Sequence, residues 1–277
     1  MPLLVYKHGL TAHVIDIGQG PPVLLVHSAG MGAAQWRAVA GELAAHFRCV
    51  APNLRGYGRS SAWPLGAPAD IAAELDLLHG VLAAVAPAKQ AVHLVGHSMG
   101  AWLALELARR DGSGGRFASI ALIEPVVLGA LRARGEEAAL REVGAMIEDV
   151  LAAFTREDVS AAMERFTDYW YGAGAWAKIP LAQRLPIFAR AGKMRADVEA
   201  VWSDRTPVSA FAGIETPTLI LSAEHTTPAA TRMALLLEAA IPSAERRIIP
   251  GAGHMAPITD AATCAAALRD FLAASNA

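Results

Sequence analysis

Ala91-Val-His-Leu-Val-Gly-His-Ser-Met-Gly-Ala-Trp-Leu-Ala-Leu-Glu-Leu-Ala108 decides how this chain is read. Val92, Leu94 and Val95 make a short aliphatic run suited to a sheet interior, and Trp102, Leu103, Leu105, Leu107 and Ala108 make a helical one. Between them lies Gly96-His97-Ser98-Met99-Gly100, a G-x-S-x-G pattern. Its glycines remove side chains that would clash where a strand folds back into a helix, leaving the serine hydroxyl above the sheet. Three fixed positions also arise by chance; the strand before and the helix after are what give the pattern weight. Ser98 is therefore the candidate nucleophile. The helix that follows points its first amides and positive dipole end at the reacting centre, so Met99 N–H is a candidate oxyanion donor.

Working outward, 277 residues with 54% apolar content suffice for one large α/β domain or a core carrying an insertion. A net charge of −2 with 18% charged residues shows no basic patch or charge block, which argues against nucleic acid or an anionic membrane as partner. A small, largely uncharged molecule is expected instead. The two cysteines, Cys49 and Cys264, cannot form a disulfide framework, and no Cys/His spacing suggests a zinc site. Both read as buried small apolar residues. No leader-like N-terminal pattern and no long apolar run is visible, so the expectation is a cytoplasmic enzyme.

Two alternating segments, Leu4–Lys7 and Ala12–Ile17, predict an antiparallel edge hairpin around His8-Gly9. Val23-Leu-Leu-Val26 reads as a buried parallel strand ending at the loop His27-Ser-Ala-Gly-Met-Gly32, where α/β folds bind ligands. A helix over Ala33–His46, a strand over Arg48–Asn53, the turn Leu54-Arg-Gly-Tyr-Gly-Arg-Ser60 and a helix over Ala69–Val85 lead to the serine strand. Ser119–Glu124 is a further strand, stopped by Pro125. Such alternation implies right-handed βαβ units and a mainly parallel sheet.

From Leu128 to Asp204 the strand pattern stops and helical periodicity takes over, with Thr155 and Asp158 suggesting a capping box before a helix over Val159–Phe166. Phe154, Phe166, Tyr169, Trp170, Tyr171, Trp176, Phe188 and Trp202 concentrate here. Most are expected to pack this helical unit, some to face a pocket. Strands resume at Pro217–Ser222 and Glu245–Ile249 around a helix over Ala229–Ala240. Gly251-Ala-Gly-His-Met255 and a last helix, Ala261–Ala274, follow.

The elbow Gly-His-Ser-Met-Gly, the His-Ser-Ala-Gly loop, the Asn-Leu-Arg-Gly-Tyr-Gly-Arg-Ser turn and Gly-Ala-Gly-His-Met occur in the order found in α/β-hydrolases, which the chain resembles over essentially its whole length. The resemblance implies a mostly parallel eight-stranded sheet flanked by helices, with a core at 1–127 and 205–277 and a helical cap inserted at 128–204. It also implies a serine, an acid and a histidine in that chain order. His254, in a glycine-flanked loop after a strand, takes the place of the base. His27 and His97 are read as loop supports.

The acid departs from the commonest pattern of these relatives, an aspartate after the seventh strand. Here His225 stands near that position. Glu124, a charged residue ending an apolar strand, is favoured over Glu224, because an acid there can hold the histidine tautomer equally well. For the second oxyanion donor the resemblance points to Ala29, with Ser28 as fallback. Asn53 replaces a frequent aspartate and is given no catalytic role.

The expectation is a cofactor-independent serine hydrolase that cleaves a small hydrophobic ester through an acyl-enzyme. A serine nucleophile argues against dehalogenase and epoxide hydrolase chemistry, which in the relatives needs a carboxylate. Hydrolysis of a C–C bond in a ring-fission diketone, lactone opening, short-peptide cleavage and a small-molecule receptor remain as rivals. A homo-oligomer is compatible with the sequence.

Overall fold

The computed structural model describes residues 3–6, 9–64, 66–68, 70–86, 90–112 and 115–275. Lys7 and His8 of the predicted hairpin and Ala69 at a predicted helix start lie outside the described residues. The hairpin strands are β1 (Leu3–Val5) and β2 (Thr11–Ile17), antiparallel, with Leu4 opposite Ala12. The remaining strands are β3 (Pro22–Val26), β4 (Arg48–Pro52), β5 (Val92–His97), β6 (Phe117–Ile123), β7 (Thr218–Ala223) and β8 (Ala244–Ile249). They form one eight-stranded sheet in the order β1-β2-β4-β3-β5-β6-β7-β8. From β4 to β8 every pairing is parallel. The serine strand β5 is thus central, with Leu24 and Ile120 flanking Leu94 on its two sides.

The helices are α1 (Arg37–Leu43), α2 (Ile71–Val85), α3 (Met99–Asp111), α4 (Leu128–Ala133), α5 (Glu137–Thr155) and α6 (Val159–Tyr171). They continue with α7 (Leu181–Phe188), α8 (Ala191–Ser203), α9 (Pro228–Ala240), α10 (Ala256–Thr259) and α11 (Ala261–Ala274). Alternate side chains of each strand point to opposite faces, and both faces of a parallel sheet must be covered. Accordingly Val23, Leu25, Val95 and Ile123 pack under α1 and α11, through Val39 and Leu268. Leu24, Val26, Leu94 and Leu122 pack on the other face with α2, α3 and α9.

Residues 128–204 hold α4 to α8, all inserted between β6 and β7. Their buried side chains, such as Leu131, Val143, Met163 and Val198, belong to the same hydrophobic cluster as Leu94 and Leu122. The insertion therefore sits directly on the sheet's core and shares it.

Two local expectations are corrected. The helix expected over Ala33–His46 is a 3₁₀ turn (Ala33–Trp36) followed by the shorter α1, because Phe47 must turn back into the core before β4 begins. The capping box does not form. Thr155 Oγ donates to Leu151 O inside α5, and Asp158 caps α6 by accepting from Ala161 N–H at 3.0 Å. Glu157, with φ of 60°, makes the left-handed break between the two helices. Once that break falls at Glu157, Asp158 is the first residue placed to cap.

Candidate active site

The turn between β5 and α3 is built by exclusion of side chains. A Cβ on Gly96 would lie 2.4 Å from Gly100 O, and one on Gly100 would lie 2.3 Å from Val26 O. Without them the chain closes tightly enough to hold Ser98 at φ 56° and ψ −121°, a region that L-residues seldom occupy. Ser98 N–H donates to Ile123 O (3.0 Å), and Ser98 O accepts from Ala101 and Trp102, so the strained residue is held from both sides.

Around Ser98 the structure assembles residues from three other segments. His254 Nε2 lies 3.1 Å from Ser98 Oγ, and His254 Nδ1 lies 3.0 Å from Glu124 Oε2. Glu124 directly follows β6, with φ of 48°. Its carboxylate accepts from Ala223 N–H at 2.7 Å and from the Thr226 hydroxyl. All three side chains are buried: Ser98 is 8% exposed, Glu124 2% and His254 3%. A carboxylate so buried and so bonded fixes the proton of His254 on Nδ1 and leaves Nε2 to face the serine.

Glu224, the other acid candidate, is not brought to His254. It is exposed, and its Oε2 accepts from Gly251 N–H at 2.7 Å, bracing the loop that carries the histidine. His225 is exposed beside it. His97 Nε2–H donates to His254 O at 2.8 Å; burial, with the adjacent His254, holds its pKa well below the ordinary histidine value. His27 is also wholly buried, which lowers its pKa to about 3. Leu54 N–H donates to His27 Nε2 (3.1 Å), and Nδ1 lies 2.8 Å from Ser28 O and 3.2 Å from Gly32 N, within the loop it supports. Both histidines stay neutral and tie loops together.

Ala29 and Met99 border the same cavity as Ser98, and neither N–H has an acceptor among the described residues. The fallback donor Ser28 does not fit. Its N–H is turned to Gln35 Oε1 (3.2 Å), which its hydroxyl also contacts at 2.7 Å. Asn53 joins loops, accepting from Ala33 N–H and donating to His13 O.

Beneath the inserted helices lies a cleft of about 360 Å³, part of it open to solvent. Val126, Met146, Ile147, Phe166 and Trp170 make it almost entirely apolar, with Asp197 as its charged wall. Trp170 stacks on the His254 imidazole, ring centroids 3.9 Å apart, and both residues also border a second, wider cleft. Among the eight aromatics of the insertion, Phe166 and Trp170 thus reach the site, whereas Trp176 packs against Phe188.

Behind Asp197 lies a buried polar cluster that the sequence reading missed. Lys193 on α8 pairs with Asp197 and, at 2.9 Å, with Glu74 on α2. The Tyr57 hydroxyl donates to Asp197 and accepts from Gly30 N–H at 2.8 Å. Burial raises the pKa of Asp197 and Glu74, with Lys193 opposing it. Burial alone would lower the Lys193 pKa, but the two carboxylates outweigh it and hold it above the ordinary lysine value. A signal existed: Lys193 and Asp197 fall one turn apart on the apolar face of α8, among Met194, Val198 and Val201. Among the described residues no cluster of three or more His, Cys, Asp or Glu side chains could hold a metal ion. No described helix is long and apolar enough to cross a membrane.

This architecture has known counterparts. In the solved enol-lactonase from Burkholderia xenovorans LB400 the match covers 98% of this chain and 100% of that one, with a TM-score of 0.74 and 21% identity, a likeness of fold alone. The 2-hydroxy-6-oxo-2,4-heptadienoate hydrolase of Pseudomonas putida is 36% identical over 110 residues, 39% of either chain. The pimeloyl-[acyl-carrier protein] methyl ester esterase of Aeromonas salmonicida is 38% identical over 99 residues, 36% of either chain. These alignments span little more than a third of each relative. A model of the alpha/beta hydrolase family matches residues 23–267, nearly the whole chain and all of the site just described. The chain belongs to the alpha/beta hydrolase family.

Proposed function

We propose that the protein hydrolyses a small hydrophobic carboxylic ester. One observation carries this reading: the hydrogen-bonded line Ser98–His254–Glu124 opens, at its serine end, on an apolar cavity flanked by two N–H groups without acceptors among the described residues. Ser98 Oγ attacks the ester carbonyl while His254 Nε2 takes its proton. The negative oxygen of the tetrahedral intermediate accepts from Met99 and Ala29 N–H. As the C–O bond breaks, His254 returns the proton to the leaving alkoxide. Water then attacks the acyl-enzyme, giving its proton to His254, and the carboxylic acid departs as Ser98 is reprotonated. Glu124 keeps the imidazole oriented and stabilises its cation. The inserted helices act as the cap that shapes the acyl pocket.

The test is p-nitrophenyl ester hydrolysis over increasing acyl length, with Ser98→Ala in parallel. Release by the wild type that vanishes in the variant supports the reading, and the chain-length optimum measures the cavity. Inertness of both overturns it. Hydrolysis of a C–C bond is the second reading, favoured by the name of the P. putida relative. A wild type that cleaves ring-fission diketones faster than any ester would put it first.

A further inference from the structure

We propose that Tyr57 is a positioning residue for the oxyanion loop, and that Asp197 and Lys193 on α8 make the inserted helices the anchor of that loop. The inference rests on the hydrolase reading above. Loop 27–32 carries Ala29 N–H, whose direction depends on the peptide planes beside it. The next amide, Gly30 N–H, is held at 2.8 Å by the Tyr57 hydroxyl. Gly30 has φ of 77°, a conformation that leaves the loop to be fixed by its partners rather than by local preference.

Tyr57 is itself immobilised. It is fully buried, sits edge-on to His27 with ring centroids 4.8 Å apart, and gives its proton to Asp197. Asp197 is held in turn by Lys193, which reaches Glu74 on α2 and lies 4.3 Å from the Trp63 ring centroid. A tyrosine hydroxyl is one of few side-chain groups able to accept from an amide and donate to a carboxylate at once. The line Lys193–Asp197–Tyr57–Gly30 therefore runs from the inserted helices to the residue after the proposed oxyanion donor, touching neither Ser98 nor His254. A buried network of this kind holds one arrangement because any partial break leaves an unpaired charge or amide.

Such a residue affects the tetrahedral state more than the bound ester, since the oxyanion donors bind charge that forms only during reaction. The experiment compares wild type, Tyr57→Phe and Asp197→Asn using the best p-nitrophenyl ester, an alkylboronic acid and the carboxylic acid of equal length. The boronic acid forms a tetrahedral adduct on serine; the carboxylic acid reports ground-state binding. Tyr57→Phe should lower kcat about tenfold, less than outright loss of an oxyanion donor, with KM within about twofold. Boronic acid affinity should fall in step while carboxylic acid affinity holds. Asp197→Asn should lower kcat and boronic acid affinity by a smaller factor, read against the uncharged ester's KM because Asp197 itself borders the cavity, which keeps the test usable should Tyr57→Phe not fold.

Wild-type kcat in both variants, or equal weakening of boronic and carboxylic acid, overturns the positioning role while leaving the hydrolase standing. A wild type that neither turns over an ester nor is labelled at Ser98 by a fluorophosphonate overturns the function, and this proposal with it.

Discussion

The indole of Trp170 lies stacked on the imidazole of His254, centroids 3.9 Å apart and planes 29° apart. An aromatic face there keeps water from the base, fixes its plane and favours the imidazolium that forms when Ser98 gives up its proton. A desolvated cation over such a ring gains roughly 1–2 kcal/mol. Trp170→Ala should therefore lower kcat/KM about tenfold. It should also move the acyl-length optimum upward, because Trp170 lines both the serine cavity and the wider cleft and its removal frees space between them. Trp170→Phe should retain most of the rate. Steady-state kinetics over an ester series reads both effects.

Glu124→Gln should reduce kcat by two to four orders of magnitude, roughly the scale for loss of a triad carboxylate, with the fold intact by circular dichroism. Glu224→Gln should leave kcat nearly unchanged, its carboxylate being exposed and bonded to Gly251 N–H away from His254. The reverse ranking would overturn the assignment of the acid.

Gly100→Ala places a Cβ 2.3 Å from a backbone oxygen that cannot retreat, and should cost about 3 kcal/mol or more, or prevent folding. Gly41→Ala is the control. It lies exposed in α1 with nothing within 4 Å of the added carbon, and should stabilise by about 0.5–1 kcal/mol. Urea midpoints measure the pair.

Acid stability follows from His27, whose pKa burial lowers to about 3 in the folded protein from 6.5. The unfolded chain binds this proton below about pH 6.5 and the folded chain only near 3. The stability this group contributes is thus present above pH 6.5 and lost as pH falls, by about 1.4 kcal/mol per pH unit. Other groups titrate in the same window; the raised Asp197 and Glu74 act in the opposite sense. The difference between wild type and His27→Asn isolates the effect. Denaturant titrations at pH 7 and pH 5 should show a shallower acid loss in the variant.

The order of the elements was legible because short β-branched and aliphatic runs such as Val23–Val26, and Val92–Val95 interrupted only by His93, suit buried strands, and glycines mark the turns between them. That Ser98, His254 and Glu124 would lie together was expected because each polar residue ends an apolar strand or sits among glycines, in the chain order that the α/β-hydrolase resemblance implies. What stayed hidden depends on contacts between distant segments. Nothing in the sequence around Tyr57 says that it meets Asp197, 140 positions away. Trp170 differs from its aromatic neighbours only in where α6 is laid down. The Thr155 cap misled because cap motifs read the same on either side of a helix break, and the break was set by Glu157.

Cys49 and Cys264 are both buried, and burial pushes each thiol pKa up to about 12. At neutral pH neither offers a thiolate to an alkylating reagent. A cysteine introduced at an exposed site on the inserted helices, Glu164 of α6 for example, would then be the one thiol that reacts. The native protein is already prepared for site-specific attachment of a fluorophore, so movement of α6 over the sheet can be followed during turnover without first removing either natural cysteine.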